Sequence, residues 1–279
     1  MKIFSTPQEF TTALNSSPRV IVPTMGALHA GHLALIQHAR KLAGEKGEVI
    51  VTIFVNPTQF NNPGDLKNYP RTLKRDLELC RQHGADVAFT PDPDSIYQKN
   101  HSVSVIEKSL SKRLCGATRP GHFEGVCTVV LKLFNITRAD VGIFGKKDFQ
   151  QLAIIRRMAK DLNLPVTVEG VDTVRETSGL AMSSRNTRLT KEQHSDASRI
   201  RKALLAARKA YKNGEVTAQK LLTQAQEIIH ASNQGATSDY LELLDSETLA
   251  TVEKVTRPAV LATAVFYDQV RLIDNIELH

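Results

Sequence analysis

The chain predicts an α/β fold: a Rossmann-like, doubly wound parallel sheet followed by a second, smaller α+β unit. Three observations carry this expectation. Residues 19–169 alternate β-branched runs with helix-periodic segments. The run at 48–55 is apolar almost without interruption, as strands covered on both faces are. After about residue 174 the alternation stops, and two helical patterns precede a tail of strands. Domains are therefore expected at 1–174 and 175–279, each long enough to bury a core.

The elements follow in order. Residues 19–23 (Arg-Val-Ile-Val-Pro) read as a short buried strand. From Gly31 a helix is predicted with Leu35, Ile36, Ala39, Leu42 and Ala43 on one face. Residues 48–55 form the central strand, and 61–65 (Asn-Asn-Pro-Gly-Asp) a loop by composition. A helix fits 72–83, a strand 86–89, a helix 123–135 and a strand 141–144. A helix over 149–162 carries the stripe Leu152, Ile155, Met158 and Leu162, and 166–169 is the next strand. Thr190 followed by Gln193 is a capping-box pattern opening a long helix. A second helix fits 216–230, and strands occupy the tail from Asp239, among them 259–265.

Composition narrows the class. The chain has 279 residues, 41% hydrophobic and 23% charged, which excludes collagen-like, disordered and low-complexity proteins. No run approaches 18 apolar residues, and residues 1–9 lack the apolar core of a signal peptide, so a cytoplasmic, non-membrane protein is expected. Cys80, Cys115 and Cys127 include no Cys-x-x-Cys pair, which excludes a disulfide framework or a four-thiolate zinc site and predicts reduced, buried thiols. The net charge is +7, and residues 191–220, with eight basic and three acidic side chains, supply +5 of it. That segment has a helical pattern, so the charge reads as a solvated helix face. No nucleic-acid partner is expected, since tryptophan is absent and aromatics total 5%.

Five polar constellations stand at strand ends or at the domain junction. Pro23-Thr24-Met25-Gly26-Ala27-Leu28-His29-Ala30-Gly31-His32 leaves the first strand and enters the first helix. A helix N-terminus there offers N–H groups and a positive dipole end to phosphate, and the histidines add donors. The run is neither a Walker A motif nor a dinucleotide fingerprint. A turn with two surface histidines, or a His-x-x-His metal pair lacking its third ligand, remains open on these residues alone. In Phe54-Val55-Asn56-Pro57-Thr58-Gln59-Phe60, Asn56 and Gln59 are neutral amides suited to hydroxyls and carboxylates, with turn capping the competing role. The third run spans Arg119 to Gly125 and includes His122. Gly145-Lys146-Lys147-Asp148-Phe149-Gln150-Gln151 places lysines for phosphate and an aspartate for ribose hydroxyls. Met182-Ser183-Ser184-Arg185-Asn186 reads as an anion clamp.

Together these residues resemble the pantothenate synthetase family (pantoate–β-alanine ligases, AMP-forming). The matching runs are 23–32, 54–60, Tyr69-Pro70-Arg71-Thr72-Leu73, 119–126, 147–152 and 183–186, within a likeness extending from Val22 to residues 271–275. The family is similar to other nucleotidyl-transferring folds with a His-x-Gly-His signature. Lys146 departs from the pattern, where glutamate is expected. It leaves the mechanism intact but alters the charge near ATP.

The resemblance implies ATP-dependent condensation of pantoate with β-alanine through a pantoyl adenylate, with Mg2+ on the phosphates and no protein metal site. It implies a catalytic set of His32, His29, Lys147, Arg185 and Asn56. The ATP set is Pro23 to His32, Gly145, Lys146, Lys147, Asp148, Val174, Met182, Ser183, Ser184 and Arg185. Gln59, Gln151, Met25, Arg119 and His122 form the pantoate/β-alanine set, with Arg119 and His122 also closing the phosphate pocket. Val174 falls to adenine, Gly145 and Asp148 to ribose, and the second domain acts as a lid. A homodimer is implied by resemblance alone. Two other classes stand beside this one: another adenylyltransferase of the same fold, and a nucleotide-sensing or RNA-binding protein using the basic helix.

Overall fold

A computed structural model describes residues 1–12 and 18–279. The chain divides into two compact units, Met1–Lys146 with Gln150–Asp172, and Lys147–Phe149 with Thr173–His279.

The first unit holds a six-stranded sheet built from β1 (Lys2–Phe4), β2 (Arg19–Thr24), β3 (Glu48–Ile53), β4 (Val87–Phe89), β5 (Val141–Gly145) and β6 (Thr167–Val171). Its spatial order is β1-β4-β3-β2-β5-β6, and every described pairing is parallel. Val20, Ile21, Val22, Val49, Ile50 and Val51 are wholly buried, which is why the central runs show no polar alternation. From β2 the chain proceeds to β3 and β4 on one side, and through β5 to β6 on the other. The order reverses between β2 and β5. Ligands of such sheets bind outside the carboxyl ends of the strands at that reversal.

Helices α1 (Pro7–Thr12), α2 (Ala30–Ala43), α3 (Pro63–Lys67), α4 (Leu73–Gln82), α5 (Pro93–Ile96), α6 (Leu114–Thr118), α7 (His122–Thr137) and α8 (Phe149–Asp161) complete this part of the chain. Ile36, Ala39 and Ala43 of α2 join Val20, Val22, Val49 and Val51 in one core cluster. Each larger aliphatic buried this way contributes about 1.5–3 kcal/mol. Leu42, expected on this face, is 38% exposed, and Leu162, expected at the foot of the α8 stripe, is 47% exposed just past its end. The spacing admits both residues, but the buried arc is narrower than the apolar one. The expected loop at 61–65 overlaps α3. Asn62 caps its Gly64 N–H at 2.8 Å and Pro63 takes its first position, so residues read as a turn start a helix. β1 has three residues, too short for periodicity, and forms an edge through the pairing Lys2↔Val87.

The second unit contains α9 (Lys191–Lys212), α10 (Ala218–His230) and an antiparallel sheet of β7 (Ala236–Asp245), β8 (Ala259–Tyr267) and β9 (Val270–Leu278). The capping box forms as read: Gln193 N–H donates to Thr190 Oγ1 at 3.2 Å and Thr190 N–H to Gln193 Oε1 at 3.1 Å. Ala197, Ile200, Ala203, Leu204 and Ala207 turn one face of α9 into the core, and Lys191, Lys202, Lys209 and Lys212 are exposed.

None of the three cysteines is in a disulfide. Cys80 and Cys127 are buried, and burial pushes both thiols up to about 12. Cys115 is partly exposed rather than buried as expected. Among the described residues, no helix is long and apolar enough to cross a membrane.

Candidate active site

The run leaving β2 makes a tight loop before α2. Gly26 takes φ +81° and Ala27 φ +51°, both in the left-handed region. An alanine there is strained by about 1–2 kcal/mol. The Asp76 carboxylate, 1% exposed on α4, holds it in place: it accepts the Ala27 and Leu28 N–H groups at 2.9 Å each, and Thr72 Oγ1 at 3.0 and 3.1 Å. A Cβ on Gly26 would stand 3.1 Å from this carboxylate.

His29 is the N-cap of α2 and His32 its third residue, and they form a reciprocal capping box. His29 Nδ1 accepts the Gly31 N–H at 3.1 Å, and His32 Nδ1 accepts the His29 N–H at 3.3 Å. An imidazole that accepts at Nδ1 carries its proton on Nε2. Both rings therefore hold the same tautomer, with centroids 4.1 Å apart and planes tilted by 39°, at the positive end of the helix dipole. Capping explains why histidine serves at both positions. The sequence reading foresaw side-chain donors here but not this pairing.

At the end of β3 a second cluster forms. Asn56 is 1% exposed, and its Nδ2 donates to Gln59 Oε1 at 3.1 Å and the Gly125 carbonyl at 3.2 Å. Its Oδ1 accepts from Tyr97 Oη at 2.9 Å and Thr58 Oγ1 at 3.0 Å. Gly125 permits this approach, since a Cβ there would lie 2.7 Å from the Thr58 carbonyl. Gln59 Nε2 reaches Met25 Sδ at 3.3 Å. Arg119 Nη2 and His122 Nδ1 both meet the Gln59 carbonyl, at 3.3 and 2.9 Å, and Arg119 Nη1 lies 3.2 Å from His122 Nε2. A guanidinium only donates, so His122 Nε2 accepts and Nδ1 donates. Met25, Asn56, Gln59, Arg119 and His122 thus form one connected set.

Gly145 and Lys146 stand at the end of β5, on the other side of the topological reversal from β3. Lys146 Nζ pairs with exposed Asp172 at 2.8 Å, so its charge has a local counter-charge. Gln151 is half-buried in the first turn of α8. Its neighbour Gln150 is buried and donates to the Leu110 and Arg113 carbonyls at 2.8 and 2.6 Å, tying down the segment that leads to Arg119.

The remaining candidates lie in the second unit. Residues 174–182 fold as a small ribbon, with Met182 N–H donating to the Val174 carbonyl at 3.0 Å and Arg175 bridged to Ala181. Arg175 makes a two-pronged ion pair with Asp274, at 2.7 and 2.9 Å. Next to it, Asn275 Nδ2 donates to the Lys147 carbonyl at 2.9 Å. The Asp274–Asn275 pair near the chain's end therefore positions both the ribbon and Lys147, a role that no local pattern around it signals. Asp148 is exposed beside Lys147. Ser183 caps the 3-10 turn Ser184–Arg188 through the Arg185 N–H at 3.2 Å, and the Arg185 residue is exposed. Asp76 and Tyr97 were missed by sequence reading; the only trace of the first was Thr72 four residues before it.

Comparison with known proteins supplies the lineage. The family model described as pantoate-beta-alanine ligase matches residues 2–277. The pantothenate synthetase of Akkermansia muciniphila is 52% identical over the full length of both chains, and that of Desulfovibrio desulfuricans 44% identical over the full length of both. The crystal structure of pantothenate synthetase from Thermus thermophilus superposes with a TM-score of 0.93 at 40% identity, covering 99% of each chain. That of a pantoate-beta-alanine ligase from Francisella tularensis, complexed with beta-gamma ATP and beta-alanine, gives 0.78 at 34% identity over 99% of this chain and 97% of the other. Identity at this level over the full length of both chains, with a family model matched across residues 2–277, leaves one conclusion: the chain belongs to the pantoate–β-alanine ligase family.

Proposed function

We propose that this chain joins (R)-pantoate to β-alanine with ATP, by way of a pantoyl adenylate. A pantoate carboxylate oxygen attacks the α-phosphorus, the bond to the β-phosphate breaks, and pyrophosphate leaves. The β-alanine amine then attacks the activated acyl carbon, loses a proton, and expels AMP. The observation that carries the reading is the His29–His32 capping box at the N-terminus of α2, beside the topological reversal. It aligns two imidazoles of known tautomer with a helix dipole, an arrangement suited to phosphate.

Phosphoryl transfer needs position and charge more than covalent help. In this reading residues 23–32 line the ATP site, His29 and His32 donate to phosphates, and Lys147 acts on the transferring phosphate. Gly145 and Asp148 serve the ribose, Val174 the adenine, and Met182, Ser183, Ser184 and Arg185 the triphosphate, while Lys146 belongs to the same ATP set. Gln59 and Gln151 hold pantoate beside Met25, and Arg119 and His122 brace Gln59. Asn56 acts next to them. Its four hydrogen-bonding positions are all engaged by protein. Domains at 1–174 and 175–279 remain part of this proposal.

Among the described residues, no group of three or more His, Cys, Asp or Glu could hold a metal. In this reading Mg2+ arrives on the phosphates of ATP, where it would neutralise their charge. We further read the protein as a cytoplasmic homodimer without a nucleic-acid partner. Product analysis tests the reading: ATP, pantoate and β-alanine should give equimolar AMP, pyrophosphate and pantothenate. AMP retained on the product would instead favour the other adenylyltransferase class.

A further inference from the structure

We propose that Tyr97 is a positioning residue for the acid substrate, acting through Asn56 to fix which end of the Gln59 amide faces that substrate. The inference rests on the reading of Gln59 as a pantoate ligand. An amide can present either a donor or an acceptor, and its neighbours decide which. Around Asn56 they decide on both sides. The Gly125 carbonyl can only accept, so the atom 3.2 Å from it is Nδ2. The second Nδ2 proton points to the Gln59 side chain at 3.1 Å, which must answer with Oε1. Gln59 Nε2 is thereby turned outward, to Met25 Sδ at 3.3 Å. A thioether is a weak acceptor, readily replaced by a hydroxyl or carboxylate oxygen. Gln59 therefore reads an acceptor on the acid.

Tyr97 holds the far end of this relay. Its hydroxyl donates to Asn56 Oδ1 at 2.9 Å, and Thr58 Oγ1 lies 3.0 Å from the same oxygen. Thr58 sits on an exposed turn, and its single proton is shared between Asn56 and the Tyr97 oxygen 3.2 Å away. Tyr97 is the rigid member. Its residue is 8% exposed, directly follows α5, and carries the Lys132 ammonium 5.6 Å from its ring centroid. Burial raises the phenol's pKa against the lowering effect of its hydrogen bonds, so it remains a donor at neutral pH.

The test is steady-state kinetics on the full chain. Tyr97→Phe keeps the ring and removes the hydrogen bond to Asn56, which corresponds to about a 2- to 13-fold effect. The expected result is a rise of that size in KM for pantoate, with KM for ATP unchanged and kcat within about twofold. Thr58→Val removes the second donor from an exposed position and should move the same constant in the same direction. In a Gln59→Ala background, Tyr97→Phe should add nothing. A Tyr97→Phe enzyme with unchanged pantoate KM, or with both KM values and kcat altered alike, overturns the relay. Gln59→Ala by itself separates the two ideas: if it leaves pantoate KM unchanged, the reading of Gln59 fails first.

Discussion

Replacing Asp76 by asparagine asks how much the phosphate loop depends on one buried carboxylate. The native side chain accepts the Ala27 and Leu28 N–H groups and the Thr72 hydroxyl. Asparagine keeps one oxygen and puts an NH2 where the other stood, so one loop N–H loses its acceptor and meets a donor. A buried N–H left unmatched costs about 1–3 kcal/mol. Ala27 adds to this, because its left-handed φ of +51° is held by the bond to Asp76 Oδ2. For a unit of this size, that loss lowers the unfolding midpoint by about 2–12 °C. The loop leads directly into His29, and a displacement of about 1 Å in a positioning element costs up to about 100-fold in rate. Thermal unfolding and pantoate-dependent exchange of pyrophosphate into ATP measure the two effects separately. KM for ATP should rise more than KM for pantoate. An unchanged midpoint would refute the buried-acceptor argument. A lowered midpoint with native exchange kinetics would refute the claim that Asp76 positions the loop.

Three further outcomes are expected. His32→Gln keeps an acceptor at the third position of α2, so stability should stay near wild type while turnover falls by about 100- to 1000-fold; native turnover would remove His32 from the phosphates. Iodoacetamide at pH 8 should label Cys115 and spare Cys80 and Cys127, whose thiols burial raises to about 12; mass spectrometry of the folded protein reads this. At Asp196, burial raises the carboxyl pKa but hydrogen bonds from Arg199, Ser232 and Tyr267 outweigh it, leaving the value lowered. Its stabilisation is therefore present above the ordinary carboxylate pKa near 3.8 and lost as pH falls through the lowered folded value. Acid titration of stability should be flatter below about pH 4 in Asp196→Asn, and an unchanged curve would contradict this.

How much of this was legible in the sequence depended on how local the cause was. β2, β3 and the start of α9 could be read because burial on two faces and a capping box leave contiguous traces. Leu42 and Leu162 were misplaced because periodicity marks an apolar arc without showing where its neighbours stop. The loop expected at 61–65 failed because asparagine followed by proline starts helices as well as turns. In the site, the motifs brought His29, His32, Asn56 and Gln59 to notice. The contacts that orient them come from Asp76, Tyr97 and Gly125, which lie 41 to 69 residues away in the chain for the bonds concerned. Likewise, Asp274 and Asn275 gain a role only when β9 is laid against Arg175 and Lys147.

Activation of the acid as an adenylate before the amine reacts has one direct test. Purified protein is incubated with ATP, Mg2+ and labelled pyrophosphate, with and without pantoate, in the absence of β-alanine. Label should enter ATP only when pantoate is present, and the exchange should be depressed by about 100-fold or more in His32→Gln. Exchange without pantoate, or none until β-alanine is added, would contradict it.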